Sequence, residues 1–333
     1  MIRNLFSKFV VLSICITTIA TGCIGCNKLP QDKVTIDMLV APYSSSWLST
    51  YAIRNGIVAS DEVELVITES ISHDEHMASG NFAMGAMAVA AYGIVSQQSQ
   101  SPYKVLSAFV TGKGTEEARG VNLLFTLAGS NITSPEELVG KTIGIPGLTS
   151  STASVFLGML KNKYGISEDQ LTLVDKANTI LIELLRKGQI DVALLGGNIA
   201  PQAYYDDDFR VIWDLDNAFK EEYGEYYSPT FLLVKSEFYE TNPQAVKAAY
   251  NLLIESRDYA RDHIDELTEE YASEIGAGLP AEFYKTIQLY HSGASFDLIA
   301  GKTRDCAMAV FQLVKDRGII DEVPNPEQIF LDW

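Results

Sequence analysis

Residues 140–154, Gly-Lys-Thr-Ile-Gly-Ile-Pro-Gly-Leu-Thr-Ser-Ser-Thr-Ala-Ser, decide how this chain is read. The apolar and β-branched residues at 142–145 predict a short strand, and Pro146-Gly147 a turn. Four hydroxyl residues follow: Thr149, Ser150, Ser151 and Thr152. Apolar residues then recur at Val155, Phe156, Met159 and Leu160, the spacing of one helix face. Gly165, after Lys161, Lys163 and Tyr164, is the expected C-terminal stop. The stretch is therefore a strand, a glycine turn and a helix that opens on Ser and Thr. First-turn backbone N–H groups lack intrahelical partners, so hydroxyls beside them make a site for an anion or a carbonyl oxygen. Capping by Thr149 or Ser150 accounts for one hydroxyl of the four. The Gly-x-x-x-x-Gly-Lys-Ser/Thr pattern of a nucleotide phosphate loop is absent from the sequence.

The same strand-helix alternation extends in both directions. Residues 34–41 (VTIDMLVA) and 63–68 (VELVIT) read as strands, with a break at 42–46 and a helix over 47–55 between them. This βαβ spacing predicts a parallel sheet covered by helices. Residues 80–89 (GNFAMGAMAV) read as a glycine turn and a buried strand whose small residues admit a ligand close to the backbone. A helix over 90–98, a strand over 104–111 and a charged loop over 112–120 follow. Residues 121–127 (VNLLFTL) form a strand placed at the crossing between two lobes. Ser134-Pro135-Glu136-Glu137 carries the signature of a capped helix start. Beyond the opening stretch, a strand over 170–174 and a helix over 178–187 lead to Gly188 and a strand at 192–195. The latter ends in Gly196-Gly197-Asn198 and repeats the pattern of 80–89, so one βαβ element serves each lobe. A strand over 209–214 follows. Residues 226–230 then lead to a strand over 231–234 that returns to the first lobe. Helices are expected at 243–264, 265–275, 280–290 and 303–317.

Composition bounds the function. The 333 residues suffice for two lobes, and 47 % hydrophobic with 10 % aromatic content describes a chain with a full core. A net charge of −18 argues against nucleic acid and anionic membranes as partners. It leaves a small anion open, because local N–H donors bind anions in an acidic protein. At the amino terminus, Arg3 and Lys8 precede an apolar run over 9–20 that is too short to span a membrane. Small residues Ala20-Thr21-Gly22 end on Cys23, which marks 1–22 as a signal peptide and 23–32 as a tether. After cleavage Cys23, Cys26 and Cys306 remain, which implies no disulfide framework. Cys306 lies in an apolar helical pattern and is expected to be buried. Asn131-Ile132-Thr133 is a glycosylation sequon with no role assigned. Ser72-His73-Asp74-Glu75-His76 offers a metal pair if helical, against the plainer reading of a solvated helix start.

In this order, the segments resemble the extracytoplasmic solute-binding proteins of ABC importers. The resemblance is to the group covering nitrate, bicarbonate, taurine, alkylsulfonate and thiamine-pyrimidine-precursor uptake. It is carried by the leader with Cys23, by Glu136-Glu137-Leu138-Val139-Gly140-Lys141-Thr142-Ile143-Gly144-Ile145-Pro146, and by Leu184-Leu185-Arg186-Lys187-Gly188-Gln189-Ile190-Asp191-Val192-Ala193. Phe238 with Asn242-Pro243, and Asp316-Arg317-Gly318-Ile319-Ile320 with Pro324-Asn325-Pro326-Glu327, complete it. One departure is Ala83, where the family often has Asp in the first-lobe copy of the Gly-x-x-Asp pattern. That Asp is taken as structural.

The resemblance implies an α/β, two-lobed, type II periplasmic-binding-protein-like fold, each lobe a mostly parallel sheet flanked by helices, with two crossing strands as hinge. Residues 33–120 and 229–333 would form lobe 1, and 121–228 lobe 2. It places the ligand in the cleft. Lobe 1 would offer Ser44, Ser45, Ser46, Trp47, Met87 and Ala88. Lobe 2 would offer Thr149, Ser150, Ser151, Thr152 and Asn198, and the return strand Tyr227 and Ser228. Trp47 and Tyr227 would be flat apolar walls, with core packing the plain alternative for Trp47. These segments hold no positive charge, which favours a neutral or weakly anionic organic molecule, or an oxyanion held by N–H and hydroxyl groups alone. Arg54, Lys113 and Arg119 are close in sequence. The implied partners are the small-molecule ligand, a membrane permease and a lipid anchor at Cys23, with Cys26 as second candidate. A monomer outside the cytoplasm, without cofactor and without nucleic acid, is expected. The alternatives are an enzyme on this fold, a sensory domain, or a metal protein using His73 and His76. Against an enzyme, the cysteine cluster of the pyrimidine-forming enzymes and Gly-x-Ser-x-Gly are both absent.

Overall fold

Two five-stranded sheets organise the chain, each with its four parallel strands in the same order. The structure is a computed structural model that describes residues 32–42, 44–97, 102–110, 122–197, 199–275 and 296–332. The leader with Cys23 and Cys26, the loop over 112–120, and the helix expected over 280–290 lie outside them. The first part contains β1 (Val34–Val40), α1 (Ser44–Arg54), β2 (Val63–Glu69), α2 (His73–Ala78), β3 (Met84–Ala88), α3 (Val89–Ser96) and β4 (Tyr103–Val110). The second contains β5 (Leu123–Leu127), β6 (Thr142–Ile145), α4 (Ser151–Tyr164), β7 (Thr172–Asp175), α5 (Asn178–Arg186) and β8 (Val192–Leu195). It ends with α6 (Ile199–Tyr204), β9 (Phe209–Asp214) and α7 (Leu215–Tyr223). The chain then returns through β10 (Thr230–Lys235), α8 (Ser236–Thr241), α9 (Pro243–Asp262), α10 (Ile264–Ile275), α11 (Lys302–Asp316) and α12 (Pro326–Ile329).

Strand order is β2-β1-β3-β10-β4 in one sheet and β7-β6-β8-β5-β9 in the other. In each, the strand that follows a crossing runs antiparallel among otherwise parallel neighbours: β10 against β3 and β4, β5 against β8 and β9. The repeat seen between 80–89 and 188–197 therefore places β3 and β8 at the same position of their sheets. Asp191 shows what the Gly-x-x-Asp carboxylate does: it accepts from Thr142 N at 2.8 Å, and Asp191 N donates to Thr142 O at 2.8 Å. Ala83 keeps the equivalent backbone bond, to Asp37 O at 3.1 Å, without a carboxylate. The departure at Ala83 removes one side-chain acceptor and leaves the sheet pairing intact.

Local signals set most boundaries. Ser150 is the α4 N-cap, its hydroxyl accepting from Ala153 N at 3.1 Å, and Gly165 closes that helix in the left-handed region at φ 70°. The turn at Pro135–Leu138 is a 3-10 helix with the expected capping box. Helix α1 starts three residues earlier than the sequence predicts. Ser49 and Thr50 donate to Ser45 O and Ser46 O at 2.7 Å, so the serine run forms a first helical turn instead of a break. Helix α7 was not anticipated, although Asp214 caps it and Gly224 closes it at φ 89°. Cys306 is buried as expected, its thiol donating towards Tyr223 O and Glu225 O, and burial pushes that thiol's pKa up. No described helix is long and apolar enough to cross a membrane.

Two measurements probe this frame. A Cβ at Gly85, in the middle of β3, would lie 2.7 Å from the Leu39 carbonyl oxygen and 2.4 Å from Met77 Sδ. Gly85→Ala is expected to cost about 1–3 kcal/mol, read as a lower urea midpoint at unchanged slope. Burial pushes the Tyr103 hydroxyl up to about 12, against its bond to Phe82 O at 2.9 Å. The unfolded chain ionises this group near the ordinary 10.0. Tyr103 therefore stabilises the fold fully below pH 10, and that contribution is lost as pH rises through about 12. The urea midpoint should fall across this window, and Tyr103→Phe should flatten the fall. An identical slope in both proteins would refute it.

Candidate functional site

The carboxyl ends of the parallel strands of the first sheet face the second sheet across a cavity of about 220 Å³. Open parallel sheets place ligands at these ends. The first-sheet wall comprises Ala41 after β1, Ala86 and Ala88 on β3, Phe109 and Val110 on β4, and Pro229 with Thr230 at the start of β10. Their adjacency follows from register, since Thr230 pairs with Ala88 on one side and Val110 on the other. Ser45 and Ser46, from the first turn of α1, and His73, the first residue of α2, complete that side. Across the cavity stand Ser150, Ser151 and Thr152, the cap and first turn of α4.

Besides the first residue of the short α2, three longer helices start here, α1, α3 and α4. Their first-turn N–H groups carry partial positive charge and suit an anionic or carbonyl oxygen. One of them already bridges the sheets: Ala90 N donates to Ser151 Oγ at 2.8 Å. Ser46 Oγ is different. It is fully buried on the cavity wall and has no hydrogen-bond partner among the described residues. Such groups are rare in folded proteins and call for an explanation. Among the described lining residues, none is Lys or Arg, and His73 is the single ionisable side chain.

Six of the residues singled out in the sequence lie together on this wall: Ser45, Ser46, Ala88, Ser150, Ser151 and Thr152. Others lie elsewhere. Trp47 is buried against Tyr51 and Tyr271, with ring centroids 4.6 and 4.9 Å away. Met87 points to the opposite face of β3 from Ala86 and Ala88 and sits in the core with Leu39 and Phe231. Thr149 is exposed. Ser228 Oγ lies 2.6 Å from both Val110 O and Thr230 O, so it braces the crossing into β10. Tyr227 is fully buried, its ring 4.9 Å from that of Phe219. Its hydroxyl faces Thr152 and Asp216. Burial, then the Asp216 carboxylate, holds it well above the ordinary phenol range, and the Thr152 hydroxyl works against them. Asn198 and the side chain of Ser44 are outside the described residues, as are Lys113 and Arg119. Arg54 pairs with Glu69 at 3.0 Å, away from the cavity.

Sequence reasoning placed Ala86 among the small residues that admit a ligand but did not carry it into the site, and it missed Phe109, Val110, Thr230 and the role of His73 in this wall. Strand alternation would have separated Ala86 from Met87. His73 was weighed only with His76, which is exposed. Among the described residues, no three His, Cys, Asp or Glu side chains gather as a metal site.

Paired sheets of equal strand order, two crossings and a cleft between helix starts define a two-lobed α/β binding-protein fold. A structure of the periplasmic aliphatic sulphonate binding protein of Escherichia coli shares it, with a TM-score of 0.74 at 12 % identity over 90 % of this chain and 92 % of that one. So does the alkanesulfonate-binding protein of Xanthomonas axonopodis pv. citri bound to MOPS, at 0.70 and 13 % over 90 % and 99 %. Residues 62–266 match the NMT1/THI5-like family, and the chain belongs to it. The taurine-binding periplasmic protein of Escherichia coli (strain K12) is 28 % identical over 175 residues, which are 52 % of this chain. The match spans about half, 49 %, of that curated relative's length.

The buried carboxylate behind the site offers a test. Asp216 accepts from Asn122 N at 3.1 Å and Asn122 Nδ2 at 2.9 Å, where the chain enters β5, and faces Tyr227, where it leaves for β10. Asp216→Ala strips both crossings of this acceptor and should cost on the order of 2–3 kcal/mol, measured by urea unfolding. A loss below about 0.5 kcal/mol, the range of ordinary surface substitutions, would show that the crossings do not depend on it.

Proposed function

We propose that this chain is the substrate-binding component of an ABC importer. It captures a small organic molecule or oxyanion in the cleft and delivers it to a membrane permease. Residues 33–120 with 229–333 act as one lobe and 121–228 as the other, closing by a hinge at the two crossings. The relatives whose names carry taurine or sulfonate binding support an anionic group attached to a short organic body. The observation that carries the reading is the Ser46 hydroxyl, buried on the cavity wall without a partner among the described residues and facing a space bordered by Ser45, Ser151 and Thr152. A ligand oxygen satisfies it. Phe109, Val110 and Pro229 give the same space an apolar end. The volume of about 220 Å³ lies under the range of drug-sized pockets, which suits a compact ligand.

Periplasmic relatives support an extracytoplasmic location, and the leader ending at Cys23 supports a lipid anchor that keeps a monomer beside its permease. Binding without chemistry fits a wall of hydroxyls, methyl groups and aromatic carbons. A sulfonate panel including taurine and ethanesulfonate, titrated calorimetrically, tests this. Ser46→Ala and Ser151→Ala should each weaken binding by about 1–2 kcal/mol, close to tenfold; the thermal midpoint of Ser46→Ala should stay near that of the parent, while that of Ser151→Ala falls because Ala90 N loses its acceptor. Unchanged affinity in both variants would move the site elsewhere.

A further inference from the structure

Within that cleft, we propose that His73 selects the ligand by charge, its imidazolium pairing with the ligand's anionic group. The inference rests on the ligand reading above and goes beyond it by assigning the ionic contact to one residue.

The wall that carries the buried serines contains no lysine or arginine among its described residues, so hydroxyls and N–H dipoles serve neutral and anionic oxygens alike. His73 changes this balance. Its side chain is 14 % exposed and borders the cavity, and Nε2 lies 3.3 Å from Asp74 Oδ1. Asp74 Oδ1 also accepts from Ala88 N at 2.9 Å, so the carboxylate beside the ring is anchored to a residue of the same wall. This arrangement orients the imidazole. Glu75 and His76 share α2 and are exposed. Of the strands and helices packed on α2, β1 carries Asp37, β3 carries none, and α3 carries Tyr92, whose hydroxyl donates to Tyr103 O at 3.0 Å. Across the cavity, the described lining residues are Ser150, Ser151 and Thr152. Asp74 is a carboxylate in contact with the ring. A protonated ring places a cation at the wall and a neutral ring does not, so anion affinity falls as pH rises.

Ethanesulfonate and ethanesulfonamide separate charge from shape, because they are nearly equal in size and the sulfonate stays ionised throughout. Calorimetric titration of the full chain at pH 5 and pH 8, the window of histidine protonation, is the experiment. The parent should bind ethanesulfonate about tenfold more tightly at pH 5 than at pH 8, and the sulfonamide equally at both. His73→Gln should lose that pH dependence and about tenfold of sulfonate affinity at low pH, with sulfonamide binding kept. Equal losses for both probes in His73→Gln, or a pH profile it shares with the parent, overturn the assignment while leaving the cleft as the site. A parent that binds neither probe at either pH overturns the organic-anion reading itself, and this inference with it.

Discussion

Helix α11 holds two sheets in one core, and the cleft depends on it. Leu313 of α11 lies where α4 carries Gly158, so close that a Cβ there would be 2.5 Å from Leu313 Cδ2. Phe311 lies where α3 carries Gly93, 3.3 Å from the position of an added Cβ. Two glycines therefore let a single helix approach the backbones of α3 and α4 at once. One of those helices leaves the first sheet at β3, and the other follows β6 of the second. The buried cluster around them mixes Met87 and Phe231 from the first sheet with Phe156 of α4 and Trp213 of the second sheet. Clamped in this way, the N-terminal ends of α3 and α4 face one another closely enough for Ala90 N to reach Ser151 Oγ.

The clamp continues into the turn that bears the second-sheet half of the wall. Arg317, just past α11, donates to Leu148 O at 2.6 Å and to Ser154 Oγ at 3.3 Å, while Glu168 pairs with its other face at 3.2 Å. From the opposite side, Asp175 accepts from Gly147 N at 2.9 Å and Leu148 N at 3.1 Å. The turn between β6 and α4 is fixed by a cation on its carbonyl and an anion on its N–H groups. Its hydroxyls are thereby held in place before any ligand arrives, which limits the ordering cost of binding.

The opening stretch was legible because each of its signals is local. A β-branched run, a Pro-Gly turn, a serine cap and a left-handed glycine act within a few residues of one another. The same holds for the capping box at Ser134 and the paired Gly-x-x-Asp elements, where Asp191 fixes β6 to β8. Trp47 was not legible, since its fate depends on Tyr271, more than two hundred residues along the chain. Ser228 and Tyr227 were found as neighbours of the site, but their side chains serve the crossing. Only the positions of Val110 and Asp216 determine that. Phe109, Val110 and Thr230 meet because β10 pairs with β3 and β4, a non-local register that no motif encodes. Ala86 was within reach of period-two reasoning, and His73 was hidden by weighing it as half of a metal pair.

The proposed anion site, in a chain of net charge −18, raises an electrostatic problem that the wall would resolve by range. Exposed carboxylates act on a ligand through water and salt, and about 8–10 Å of physiological solution screens most of that repulsion. Helix-start N–H groups and serine hydroxyls act at hydrogen-bond distance in a partly dehydrated space, where the same partial charges count for more. Short-range attraction therefore outweighs long-range repulsion once the ligand is seated, though not during approach. Such a site gains little from electrostatic steering during approach. In the proposed carrier this would have a use: dipoles would hold an anion without the deep well of a fixed, desolvated cation, so separation of the lobes would be enough to release it. A histidine on the wall sits between those limits. It adds a charge when protonated and reverts to a neutral hydrogen-bonding ring when it is not.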